Sequence, residues 1–234
     1  MNKQYNQTIT ACFVGYIVQA IINNFVPLLF LTFERTYQIP LSQITLLVTI
    51  NFGVQLLVDL LSIKFVDKIG YRASIVIAHL CSAAGLVLLT ILPEVMDHAF
   101  LGILTAVIVY AVGGGLLEVL VSPIVEACPS DHKEKAMSML HSFYCWGHVG
   151  VVAISTIYFY LVGISNWKLL AVIWAIIQCV CLCESSDRAA IAGRRVRDEN
   201  AGSVPPENIL GAVYYDDLCR SKRTGSQSVG LYFR

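Results

Sequence analysis

Charge is scarce in this sequence and absent over long stretches of it. Charged residues make up 14% of its 234 positions, against about 25% in soluble domains. None falls between Thr8 and Phe33 or between Ala73 and Pro93, and Ser42 to Leu61 holds only Asp59. A soluble chain of this size buries one core. It does not need several uncharged stretches of bilayer length, each about 20 apolar residues. The deficit therefore excludes a soluble globular domain and predicts an all-α polytopic membrane bundle. Other absences narrow the function. Thr8 to Phe33 is too long for the core of a cleaved leader and has no small-residue cleavage site after it, so it reads as the first span. The eight cysteines imply no disulfide framework; Cys12, Cys81 and Cys145 lie in apolar runs, where a thiol acts as a small hydrophobe. Cys179, Cys181 and Cys183 lack zinc spacing, and His132, His141 and His148 are too dispersed for a metal site. The Gly113 triplet lacks the Lys-Ser/Thr of a phosphate loop. No nucleophile-base set appears, and no basic aromatic surface for nucleic acid. Neither an enzyme nor a metal, cofactor or nucleic-acid partner is expected.

What is present is a series of six expected spans, at 8–33, 42–62, 73–93, 98–126, 136–162 and 167–183. The connections are short, so consecutive helices are antiparallel neighbours. Lys3, Lys64, Lys68, Arg72, Lys133 and Lys135 fall on one side and only Arg35 and Lys168 on the other. By the positive-inside rule the N-terminus is cytoplasmic, in a multi-pass protein of the cell membrane. Half of the 16 Lys and Arg lie after Cys183, and the sixth span, between Lys168 and Glu184, is short. The membrane domain is therefore drawn as 1–177. Residues 178–234 are read either as a disordered cytoplasmic tail or as an out-of-frame one. Read one base on, the codons of Cys179 to Cys183 and of Tyr214 to Asp217 admit mostly apolar residues.

Polar residues inside the spans fall on single faces. Tyr16, Gln19 and Asn23 share a stripe, as do Asn51, Gln55 and Asp59, and His141, Tyr144 and His148. Polar groups in hydrocarbon face the bundle interior or a wet cavity, although interhelical glue uses the same residue types. Three coherent stripes predict a shared polar cavity, with Asn23, Asn51, Gln55, Glu118, His141 and Tyr144 as candidate solute contacts. Glu118, in mid-span after three glycines, is the sharpest. A charged carboxylate there costs on the order of 3 kcal/mol, which makes it a candidate proton carrier. Asp59, nearer the loop, reads as a structural partner for a loop cation.

The loop Asp67-Lys68-Ile69-Gly70-Tyr71-Arg72 resembles the Asp-Arg-x-Gly-Arg-Arg/Lys motif of the major facilitator superfamily, with Lys68 and Tyr71 as departures. Asn23-Asn24 and Gly114-x-x-x-Glu118-x-x-x-x-Pro123 are similar to its fucose permease-like sugar-transporter branch. The resemblance covers about residues 8–177. It implies one six-helix half of a two-half transporter, with the solute site between the halves. It implies Asp67, Gly70 and Arg72 as a gating loop, with Asp67 braced against the missing half. It also implies Glu118 as the intramembrane glutamate of proton coupling or sugar binding; Pro27 stands where the branch has a partner aspartate. The expected function is alternating-access transport of a sugar or similar small polar solute, with protons as coupling ion. The expected partners are the bilayer and a missing C-terminal half or second copy. The alternative is a non-transporting membrane scaffold or an inactive frameshifted fragment.

The topology makes a direct prediction. A cysteine replacing Lys68 should resist labelling from outside intact cells and label readily in inverted vesicles. The reverse pattern would invert the orientation.

Overall fold

The computed structural model describes residues 3–127 and 133–182, apart from the side chains at 3–8, 63, 67, 72 and 127. Every described element is helical: α1 (Lys3–Leu28), α2 (Phe30–Tyr37), α3 (Leu41–Ile69), α4 (Tyr71–Val95), α5 (Ala99–Ala127) and α6 (Lys133–Val162). A 3-10 turn at Ile164–Asn166 leads into α7 at 167–182. Among the described residues, six stretches are long and apolar enough to cross a membrane: Ile9–Leu28, Leu41–Ser62, Ala73–Val95, Ala99–Glu126, Lys133–Val162 and Ile164–Leu182. The all-α polytopic bundle expected from the sequence is the observed fold. Helices suit that setting because each satisfies its own backbone hydrogen bonds where no water is at hand.

Pro27 has no N–H to donate, and α1 ends one residue after it. The chain turns at Leu29, whose N–H reaches Val26 O at 2.9 Å, and restarts as the short α2. Between α3 and α4 a single residue, Gly70, makes the reversal at φ 90°, a region open to glycine and costly for other residues. Its N–H closes α3 on Val66 O at 2.7 Å, and its carbonyl accepts from Ser74 N–H at 3.1 Å to open α4. The backbone of the basic loop is thus a one-residue turn. The side chains of Asp67 and Arg72 lie outside the described residues.

The middle of the bundle belongs to α5, which packs along α4 and also touches α1, α3 and α6. Its glycines permit this. A Cβ at Gly113 would stand 2.5 Å from Ala78 O of α4, and one at Gly115 would stand 3.0 Å from Val58 Cβ of α3. Small residues let helix backbones approach where lipid tails supply no hydrophobic drive between helices. By contrast, α3 and α6 turn much apolar surface outward, including Phe52, Leu56 and Leu60 on α3 and Val149, Ile157 and Leu161 on α6.

The sixth span differs from the expectation that it is short. It runs for 19 residues because Ile164 and the 3-10 turn lead directly into α7. The boundary drawn after residue 177 falls inside α7. Gln178 is fully buried, with Oε1 3.3 Å from His79 Nδ1 of α4 and Nε2 donating to Val18 O of α1 at 3.2 Å. At the opposite end of α7, Lys168 pairs with Glu94 at the end of α4, and Trp167 meets Phe33 edge-on. Residues 183–234, and both readings of the tail beyond 182, lie outside the described residues.

The close α4–α5 approach can be tested. Gly113→Val forces a branched side chain against Ala78 and Ser82, and overpacking of this kind costs roughly 1–3 kcal/mol. The variant should melt several degrees below wild type in detergent. An unchanged Tm would mean that these helices do not touch at this depth.

Candidate functional site

The polar residues of α1 reach three other helices in turn. Nearest the N-terminus, the Tyr16 hydroxyl lies 2.9 Å from Ser122 Oγ of α5. One turn on, Gln19 Nε2 donates to Glu118 Oε2 at 3.0 Å. The pairs run in opposite directions along the two helices, 16 to 19 against 122 to 118, as antiparallel neighbours require. Asn23 is next, and its carboxamide meets both α3 and α6. Its Oδ1 accepts from Gln55 Nε2 at 2.8 Å and from Asn51 Nδ2 at 3.3 Å, and its Nδ2 donates to the Tyr144 hydroxyl at 2.8 Å. Gln55 Nε2 also donates to Asn51 Oδ1 at 3.1 Å, closing the three amides on one another. Asn24 Nδ2 donates to Ala20 O, and at 2.8 Å to His148 Nδ1.

Because Asn24 donates to Nδ1, the His148 proton sits on Nε2, which is buried with no partner among the described residues. The Tyr144 ring is held between aromatic neighbours, edge-on to His148 at 4.3 Å and tilted against Tyr16 at 5.5 Å. His141, one turn before Tyr144, tilts against Tyr16 at 6.0 Å.

Exposure divides the six candidate residues. Asn23, Asn51 and Gln55 are buried, at 8%, 5% and 3% exposure. Tyr144 is half-buried, while Glu118 and His141 are exposed. The amides are engaged mainly with each other, whereas Glu118 and His141 lie at an open surface. Glu118 is therefore not walled in by apolar side chains of this chain. Asp59 is half-buried with Oδ1 unpartnered among the described residues, and the loop lysines Lys64 and Lys68 are exposed. Among the described residues no three His, Cys, Asp or Glu side chains gather around a common point; His132 lies outside them.

A family model described as Major Facilitator Superfamily matches residues 9–203. The chain belongs to that superfamily. It is a multi-pass membrane protein of a transporter family, whose members carry small solutes across the bilayer and are not enzymes. No individual curated protein matches it. Several of these contacts join residues whose partners the sequence leaves open. Ser122 is four residues beyond Glu118 and so on its face, a signal that was available. Gln19 and His148 were visible as members of stripes without known partners. His79 and Gln178 carried no such signal, since each is isolated in its own apolar run.

The amide hub has a measurable weight. Asn23→Leu leaves two buried amide donors without their acceptor, which costs about 1–3 kcal/mol. Its Tm in detergent should fall well below that of Ser142→Ala, whose exposed hydroxyl bonds, among the described residues, Ser138 O of its own helix. Equal melting of the two variants would remove the hub from the fold's stability.

Proposed function

We infer that the chain forms the N-terminal half of an alternating-access transporter for a sugar or closely related polyhydroxylated solute, driven by protons. The observation that carries this reading is the exposed carboxylate of Glu118 beside a ladder of polar side chains. Glu118 carries the proton. It shares the solute site with Tyr144 and His141, while Asn23, Asn51 and Gln55 line and brace it. In this superfamily the solute lies near the midplane between two six-helix halves, so an open polar face suits such a site. The outward apolar faces of α3 and α6 suit a second half, supplied by a further stretch of protein or by a second copy. Asp67, Gly70 and Arg72 form the gating loop on the cytoplasmic side of the cell membrane, Gly70 as its hinge. The similarity of Asn23-Asn24 and of the Gly114 to Pro123 pattern to the fucose permease-like branch favours a sugar.

Glu118→Gln tests the coupling. The amide keeps the shape and one acceptor oxygen but neither gains nor loses a proton near neutral pH. In the transport-competent assembly, uptake should lose its dependence on the proton gradient. The expected fall is roughly tenfold, within the range of about 1–3 kcal/mol typical of coupling between sites. Uptake with unchanged rate and pH dependence, at equal membrane abundance, would leave Glu118 as a helix contact only.

A further inference from the structure

Building on the transport reading, we propose that Asn23 is a positioning residue that sets the direction of the Tyr144 hydroxyl, so that its proton is kept for an acceptor oxygen of the solute. The two ends of the Asn23 carboxamide have different tasks. Oδ1 accepts from Gln55 and Asn51, which fills the two lone pairs of a carbonyl oxygen. The end that meets Tyr144 is Nδ2, which can only donate. At 2.8 Å the phenol oxygen must therefore accept. A hydroxyl that accepts retains one hydrogen for another partner, and among the described residues none takes it. The ring has little freedom to turn away, packed between His148 and Tyr16, so the hydroxyl hydrogen moves only about its own C–O bond.

The consequence is a site with two complementary groups. Tyr144 offers a donor to a hydroxyl, ether or carbonyl oxygen, and Glu118 offers an acceptor to a solute hydroxyl. The buried amides act one step removed. Gln55 gives hydrogens to both Asn23 Oδ1 and Asn51 Oδ1, and Asn51 turns its own amino group to Asn23. Three amides from two helices thus decide which end of Asn23 faces the phenol. Turning all three together is the alternative arrangement, and it would make the phenol a donor to Asn23.

Asn23→Asp separates these arrangements. The aspartate keeps one oxygen for the two amide donors and places a second oxygen where Nδ2 was. Three surrounding donors favour its ionised form, so Tyr144 must turn and donate to it. Difference Raman spectra of each protein against its Tyr144→Phe counterpart isolate the phenol, whose ring doublet reports donor or acceptor status without any solute. The phenol should show acceptor character in wild type, whether or not water takes its hydrogen, and act as a donor alone in Asn23→Asp. A wild-type phenol that donates without accepting overturns the proposal, and this reading survives even if the aspartate variant does not assemble.

Uptake of a panel of radiolabelled neutral hexoses by the reconstituted, transport-competent protein provides the second measurement. Asn23→Asp and Tyr144→Phe should each raise KM about three- to tenfold, the worth of one neutral hydrogen bond. The double variant should be no worse than Tyr144→Phe alone, because Asn23 acts through the phenol. Additive losses would mean a merely structural Asn23 and would sink the positioning role. Wild type that takes up none of the hexoses defeats the sugar reading and the solute half of this inference; the Raman result still decides the direction of the hydroxyl.

Discussion

Hydrocarbon offers no hydrogen bonds, so a polar side chain within a membrane span must find its partner on another helix or in a wet cavity. That constraint organises the interior of this bundle. Asn23 meets it for three helices at once, joining α1 to α3 through Asn51 and Gln55 and to α6 through Tyr144. Tyr16 and Gln19 do the same towards α5, and Gln178 towards His79 and the α1 backbone. Interhelical hydrogen bonds in membranes are individually modest, about 0.6 kcal/mol on average. Their larger effect here is on register. An amide that is satisfied in one relative position of two helices is left unpaired when either slides by a turn.

The close packing around α5 serves the same end by a different force. Glycines at 113 and 115 bring its backbone against α4 and α3, so dispersion contacts hold what lipid cannot drive together. Glu118 and Ser122 extend from that helix towards α1. A central helix fixed on two sides gives these side chains a rigid base. The outward apolar residues of α3 and α6 need no partner of this kind, since lipid or another apolar surface satisfies them equally.

The helical spans were legible because an uncharged stretch of about 20 residues has few alternatives to a membrane helix. Stripes such as Tyr16, Gln19 and Asn23 were legible for a similar reason, since helical periodicity assigns residues to a face before any neighbour is known. The sixth span was misjudged because its limits were drawn at Lys168 and Glu184. A long cation at the end of a span can extend away from it and pair, as Lys168 does with Glu94, so it need not mark the boundary. The surroundings of Glu118 were not legible in the same way: the apolar residues beside it in sequence lie on other faces of α5, and what it meets is Gln19 at an exposed position.

By itself, then, the sequence determined the all-α membrane fold, the six spans found among the described residues and which residues share a helical face. Each of these follows from composition and from a period along one chain. Only the tertiary structure decided that Gln19 meets Glu118, that Asn24 meets His148, and that the buried amides face one another while Glu118 and His141 face outward. Those choices depend on which helices adjoin and at what height. That is set by glycine contacts and hydrogen bonds between residues on different helices, far apart along the chain, which a period along a single helix cannot encode.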